Sequence, residues 1–195
     1  MRTFFCSLLP TKKEETTPFT TQGEVLEKYG QGINDQGELV GMCRPMANAY
    51  ASLILKGKNP EEYLADDKKF LKLAIEEENK ELESGDSDVD HLAFKENGAE
   101  HTDISVAKRD LTEETVTDLL DENDHLLITY PQKKAAHEIY LGRIKEGRCR
   151  FFDANIKGGE RKGECEVLIH QAVKSMKDQY TTEDRPFSVG MSKGI

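Results

Sequence analysis

The spacing of apolar residues changes twice along this 195-residue chain. In the first third it is helical. Between Cys43 and Leu55 the side chains of Met46, Ala47, Tyr50, Ala51, Leu53 and Ile54 cover most of the circumference of a helix, which predicts a helix buried in the core and ended by Gly57. The next helix carries stronger start signals: Asn59 as N-cap, Pro60 at the first helical position, Glu61 and Glu62 in the first turn. Its stripe of Leu64, Leu71, Ile75 and Leu82 runs to a stop at Ser84-Gly85. Shorter helices are predicted over 23–29 and from Thr112 to about Asp121, the second with Leu111 stapled to Val116.

Past Asp121 the period drops to that of a strand. HLLITYP (125–131), AHEIYLGRI (136–144) and RCRFFDAN (148–155) read as successive strands, the last two joined by a hairpin turn at Lys145, Glu146 and Gly147. Helical spacing returns in CEVLIHQAVKSMKDQY through Ile169, Val173, Met176 and Tyr180, and PFSVGMS adds a strand near the end. Helices first, then an antiparallel sheet with one helix inserted, predict an α+β fold. The polar stretch 86–110 reads as a loop with a short helical or extended piece from Leu92 to Phe94.

This length suits one hydrophobic core. Residues 1–22, rich in Thr, Lys, Glu and Pro, read as a mobile arm ahead of a single domain over 23–195. The net charge of −10, a pI near 5.1 and the lack of any Lys/Arg cluster argue against nucleic acid and anionic membrane as partners. A mean hydropathy of −0.66 and the absence of a long apolar run argue against a membrane span. The start, MRTFFCSLLPTKKEE, meets Pro10 and a lysine pair before an apolar signal region can form. Four cysteines, Cys6, Cys43, Cys149 and Cys165, show no framework spacing, so free thiols in a reducing compartment are expected.

Most motif readings fail on inspection. DSDVD (86–90) starts like a calcium loop, but His91 stands where the turn glycine belongs and Asn97 where the bidentate glutamate belongs. No phosphate loop, CxxC pair or HExxH helix is present. Thiol chemistry remains. Cys43 stands at the start of the buried helix, with Pro45 in the first turn, where outward N–H groups and the macrodipole favour a thiolate. A cysteine there is by itself more often inert packing.

An imidazole is the second requirement, and the hairpin selects it. With a turn at 145–147, Ile144 pairs with Arg148, Ile139 with Asp153 and His137 with Asn155. His137 and Asp153 become diagonal neighbours about 7–8 Å apart at the backbone, close enough for the carboxylate to hold one ring nitrogen and leave the other free. Ile139, Leu141, Cys149 and Phe151 share their face, which predicts that this face packs against the Cys43 helix. His91, His101, His125 and His170 fit structural positions better.

GMCRPMANAYASLIL, AAHEIYLG and CRFFDANIKGG together resemble the YopT/AvrPphB family of bacterial effector cysteine proteases, within the papain-like group. The resemblance spans most of the chain from Gly41 onward. It implies a papain-like α+β catalytic domain with Cys43 as nucleophile, His137 as general base and acid, and Asp153 orienting His137. It also implies no cofactor or metal, a host protein as substrate, and delivery to the host cytoplasm by a specialised secretion system. The family places an amide a few residues before the cysteine to help hold the oxyanion. Glu38 occupies much of that space here, so the donors carried forward are the Cys43 backbone N–H and Gln36, with Asn34 also further back. OspI-type glutamine deamidases share the scaffold and triad order, and the motifs do not separate the two activities. A non-catalytic acidic binding module is the remaining alternative.

Overall fold

The alternating segments build one antiparallel sheet of six strands. These are β1 (His101–Val106), β2 (His125–Pro131), β3 (Ala136–Lys145), β4 (Arg148–Phe152), β5 (Glu160–Glu164) and β6 (Phe187–Ser192), in the spatial order β1-β6-β2-β3-β4-β5. The helices are α1 (Gln22–Tyr29), α2 (Cys43–Leu55), α3 (Pro60–Leu64), α4 (Asp67–Ser84), α5 (Leu92–Glu96), α6 (Glu113–Glu122) and α7 (Cys165–Gln179). The structure, a computed structural model, describes residues 16–38, 40–85, 89–132, 135–180 and 185–194. The start of the expected arm (1–15) and the acidic run 86–88 lie outside them. At the end of that arm Phe19 and Gln22 are buried: Phe19 packs against Phe70 and Phe152, and its N–H donates to the Leu64 carbonyl at 2.7 Å.

Both faces of the sheet are covered, which makes the fold α+β with helices on either side. On one face α1 to α5 gather around α2, whose Tyr50 stacks on Phe152 of β4 at 4.6 Å and tilts against Tyr140 of β3 at 5.2 Å. On the other, α6 and α7 cover Leu126, Ile128, Ile139, Leu141 and Phe151. Strand β2 therefore has no wet side, and its sequence is an almost unbroken apolar run. This two-sided burial corrects one expectation. Ile139, Leu141, Cys149 and Phe151 pack against α6 and α7, while α2 lies on the opposite face, over Leu127, Tyr140 and Phe152.

The β3–β4 register follows the expected pairing, with Tyr140 opposite Phe152, Leu141 opposite Phe151 and Gly142 opposite Arg150. The turn is tighter than expected. Lys145 pairs with Arg148 across Glu146-Gly147, Gly147 takes the left-handed φ of 68° that the turn needs, and an irregularity between Arg143 and Lys145 restores the register. The bulged residue, Ile144, turns outward and is 41% exposed.

The long helix expected from Asn59 is two helices. Asp66 starts the second by accepting a bond from the Lys69 N–H at 3.1 Å, and the break resets the phase of the apolar stripe. Phe70, Leu71 and Ala74 then face inward while Leu82 is 77% exposed. Strands β1 and β5 carry little sequence signal because both are edge strands: HTDISV and ERKGE present little apolar surface.

Cys149 and Cys165 form a disulfide, which corrects the expectation that all four cysteines are free. The unread strand β5 explains it: Cys149 pairs with Gly163, so the chain entering α7 at Cys165 passes directly beside β4. The closed loop spans a sequence separation of 16 residues. In a chain-entropy account such a loop contributes roughly 3 kcal/mol. Reduction with a phosphine is expected to lower the thermal midpoint by about 6–12 °C, measured by scanning calorimetry with and without the reductant.

Candidate active site

Cys43 is the first residue of α2 and is half-buried. Two residues earlier, Gly41 sits close to Gln22: a Cβ there would meet the Gln22 Oε1 atom at 3.1 Å, so that the side chain would have to shift by a few tenths of an ångström. Gln22, the first residue of α1, ties the segment down. Its Oε1 accepts from the Met42 N–H at 2.8 Å, its Nε2 donates to Asn155 Oδ1 at 2.5 Å, and its backbone N–H donates to the Ala154 carbonyl at 2.7 Å. One buried amide thus joins the approach to Cys43 with the chain that follows Asp153.

Asp153 follows the last residue of β4, and His137 is the second residue of β3. His137 Nε2 and Asp153 Oδ1 are 2.8 Å apart, and both side chains are almost wholly buried. The same Oδ1 accepts from the Asn155 N–H at 2.8 Å, which fixes the carboxylate. Tyr130, paired with His137 across β2 and β3, sets its ring edge-to-face against the imidazole at 5.5 Å. This leaves Nδ1 of His137 free of the aspartate, and the imidazole and the Cys43 thiol line the same cleft. The thiol also lies 3.6 Å from the Ala136 carbonyl.

The electrostatics follow from this packing. Burial pushes the Cys43 thiol up, but the His137 imidazole outweighs it and brings the thiol below its ordinary value. Burial pushes His137 down, but its bonds to Asp153 and Cys43 prevail and raise it to about 9. Both shifts favour a thiolate beside an imidazolium at neutral pH. Such a pair can attack an acyl carbon and then supply a proton.

Glu138, next to His137, is the most buried charged residue nearby and points to the α2 side of the sheet. Its carboxyl accepts from Asn48 Nδ2 at 2.8 Å and from Thr129 Oγ1 at 2.9 Å, and burial pushes it well above the usual carboxylate range. Asn48 lies on α2, and its Oδ1 accepts from the Ala93 N–H at 2.8 Å. These bonds lock the helix that carries Cys43 to the strand that carries His137. Asn48→Ala removes partners from two buried groups and is expected to cost about 1–3 kcal/mol, read by urea unfolding.

Of the residues expected from sequence, Cys43, His137 and Asp153 are brought together and Gln36 is not. Gln36 is exposed in a loop whose turn is closed on Asn34, with its N–H donating to Asn34 Oδ1 at 3.0 Å. Gln22 is the amide that binds the residue before Cys43, and sequence reasoning missed it because it stands on a different helix. Asn48 and Glu138 had a usable signal: each interrupts an apolar run at a position the run itself marks as buried. A cleft of about 210 Å³ opens beside Cys43, Arg44, His137 and Glu138. A larger groove of about 690 Å³, around Tyr29, Leu71 and Ile75, contains none of these residues.

The helix that Cys43 begins packs on an antiparallel sheet that carries His137 and leads into Asp153, in an α+β fold. Among solved structures, the chain is similar to Pseudomonas avirulence protein AvrPphB, with a TM-score of 0.56 and 13% identity over 83% of this chain and 93% of that one. No family model matches the sequence. No curated protein matches it either. Among the described residues no helix is long and apolar enough to cross a membrane.

Proposed function

We propose that this protein is a cysteine protease, a bacterial effector acting on a host protein, with Cys43 as nucleophile, His137 as acid and base, and Asp153 orienting His137. The observation that carries this is a cysteine at a helix N-terminus that shares a cleft with an imidazole held from behind by a buried aspartate. The AvrPphB-like fold and the sequence resemblance to effector proteases agree with it.

In this mechanism the Cys43 thiolate attacks the scissile carbonyl carbon. The developing oxyanion receives the Cys43 N–H, an unsatisfied donor of the first helical turn. Gln22, rather than Gln36, supplies the side-chain amide: its Nε2 holds Asn155 with one hydrogen and has a second to give. The imidazolium at Nδ1 protonates the departing amine, leaving a thioester on Cys43. Neutral His137 then takes a proton from water, hydroxide character develops at the acyl carbon, and the acid is released with Cys43 restored. Asp153 holds Nε2 throughout, so the ring presents one nitrogen to both half-reactions.

Peptide mass spectrometry of a host lysate, with and without the purified protein, tests the assignment. New peptide termini are the expected result. A gain of about one mass unit on glutamine without new termini would replace protease by deamidase, since the same acyl chemistry then expels ammonia from a side-chain amide. Neither product would leave the acidic binding module.

A further inference from the structure

The larger groove, of about 690 Å³, lies apart from the catalytic cleft and has no part in the proposed chemistry. Its apolar lining comes from Tyr29, the last residue of α1, and from Leu71 and Ile75 on α4, and three exposed lysines, Lys68, Lys69 and Lys72, border it. An open apolar groove rimmed by charge marks a place where something binds. The described chain begins beside it. Thr16 and Thr17 line a smaller pocket that shares Tyr29, Asp66 and Lys68 with the groove. Thr17 is pinned there: its carbonyl accepts from the Asp67 N–H at 2.8 Å, and its Oγ1 accepts from Lys28 Nζ at 2.6 Å. Residues 1–15 are therefore tethered at the Asp66 end of the groove.

We propose that this groove is the docking site of the chain's own segment FFCSLL (4–9). In that segment Phe4, Phe5, Leu8 and Leu9 recur at the spacing of one helical face, and Cys6 falls outside it. So concentrated an apolar run stands out in a chain of mean hydropathy −0.66, and leaving it in water forgoes the burial that the groove offers. The reach fits. The link 10–15 extends to about 20 Å, whereas α4 rises only about 14 Å from Asp66 to Ile75, so the segment can lie along the groove with Thr17 in place. Charge agrees as well: Glu14 and Glu15 precede Thr16, and Lys68, Lys69 and Lys72 outnumber Asp66 and Glu76 around the groove. A second copy fits less well, because two chains of net charge −10 repel each other. The docking stands apart from the protease reading, since the groove contains none of Cys43, His137 and Asp153.

Cys6 makes the docking measurable. In the whole chain carrying Cys43→Ala, with Cys149 and Cys165 held in their disulfide, one further cysteine is introduced. It is placed either at the groove, as Lys72→Cys, or outside it beside Lys28, as Glu27→Cys, both on exposed positions. Each protein is equilibrated with reduced and oxidised glutathione at low protein concentration. One oxidised glutathione takes two electrons and two protons from the two protein thiols, giving a disulfide between Cys6 and the introduced cysteine and two reduced glutathiones. Acid quenching and peptide mass spectrometry then give the fraction linked, and with it the effective concentration of Cys6 at each site. A flexible tether alone gives values in the millimolar range at both, and docking is expected to raise the value at position 72 at least about tenfold above that at position 27. Phe4→Ser with Leu8→Ser, which leave the described residues untouched, should return position 72 to the value at position 27. Equal values at the two sites in the otherwise unchanged chain overturn the docking and leave the groove to a partner protein. A preference for position 72 that survives both serines overturns it too, since tether geometry alone would then account for it. A link between two chains that grows with protein concentration would give the groove to a second copy and overturns it equally.

Discussion

Cys43→Ala is expected to erase the products proposed for the wild-type protein in a host lysate, a loss on the order of 10⁶-fold when assayed on an isolated substrate peptide. The size of the effect comes from what is removed. In the proposed mechanism His137, Asp153 and Gln22 polarise or position, but only the sulfur forms a bond to the acyl carbon, and alanine leaves no group that can replace it. Position 43 is half-buried at the first turn of α2, where alanine is a good helix residue, so the variant should fold. An unchanged melting temperature with products lost assigns the loss to chemistry. Retained products would move the nucleophile elsewhere; the disulfide excludes Cys149 and Cys165 while it remains intact.

The second large effect belongs to Asp153→Asn. The amide can still accept the Nε2 proton at the position where Asp153 Oδ1 now stands 2.8 Å away, but its charge is gone. Burial lowers His137, and the aspartate is the first of the groups that lift it to about 9. Without that carboxylate the imidazolium gives up its proton at lower pH, and the thiolate loses part of its counter-ion. Turnover is expected to fall by about 10²- to 10⁴-fold, with the alkaline limb of kcat/KM displaced downward by about one unit or more. Stability carries the same sign. A histidine raised on folding stabilises fully below its unfolded value near 6.5 and loses that contribution as pH rises through about 9, so the variant should show less of this alkaline loss. A wild-type pH profile in Asp153→Asn would remove the aspartate from the mechanism and leave Cys43 and His137.

The parts of the fold that could be read from sequence are those where a local pattern and burial agree. Strands β2 and β3 announced themselves by apolar runs, and the hairpin joining β3 to β4 fixed the diagonal relation of His137 and Asp153 even though its turn is one residue tighter than expected. The start of α2 was legible because Pro45 and the apolar residues behind Cys43 are consecutive. What was not legible depends on partners distant in the chain. Gln22 reaches the Met42 N–H from another helix, and the bond from Asn48 to Glu138 crosses 90 residues. The face of the sheet that meets α2 could not be chosen while both faces were apolar. The disulfide was hidden with β5, since nothing in the polar segment ERKGE marks it as the strand that carries Cys165 back to Cys149.

The rate of Cys43 alkylation by iodoacetamide as a function of pH, followed by peptide mass spectrometry so that Cys6 is scored apart, bears most directly on the central claim. The proposed ion pair predicts a rate that falls by less than about tenfold per unit below pH 8.5, because the imidazole lowers the thiol. A rate that instead falls about tenfold for each unit below pH 8.5, as for a free thiol, would contradict the ion pair and with it the assignment of Cys43 as a nucleophile.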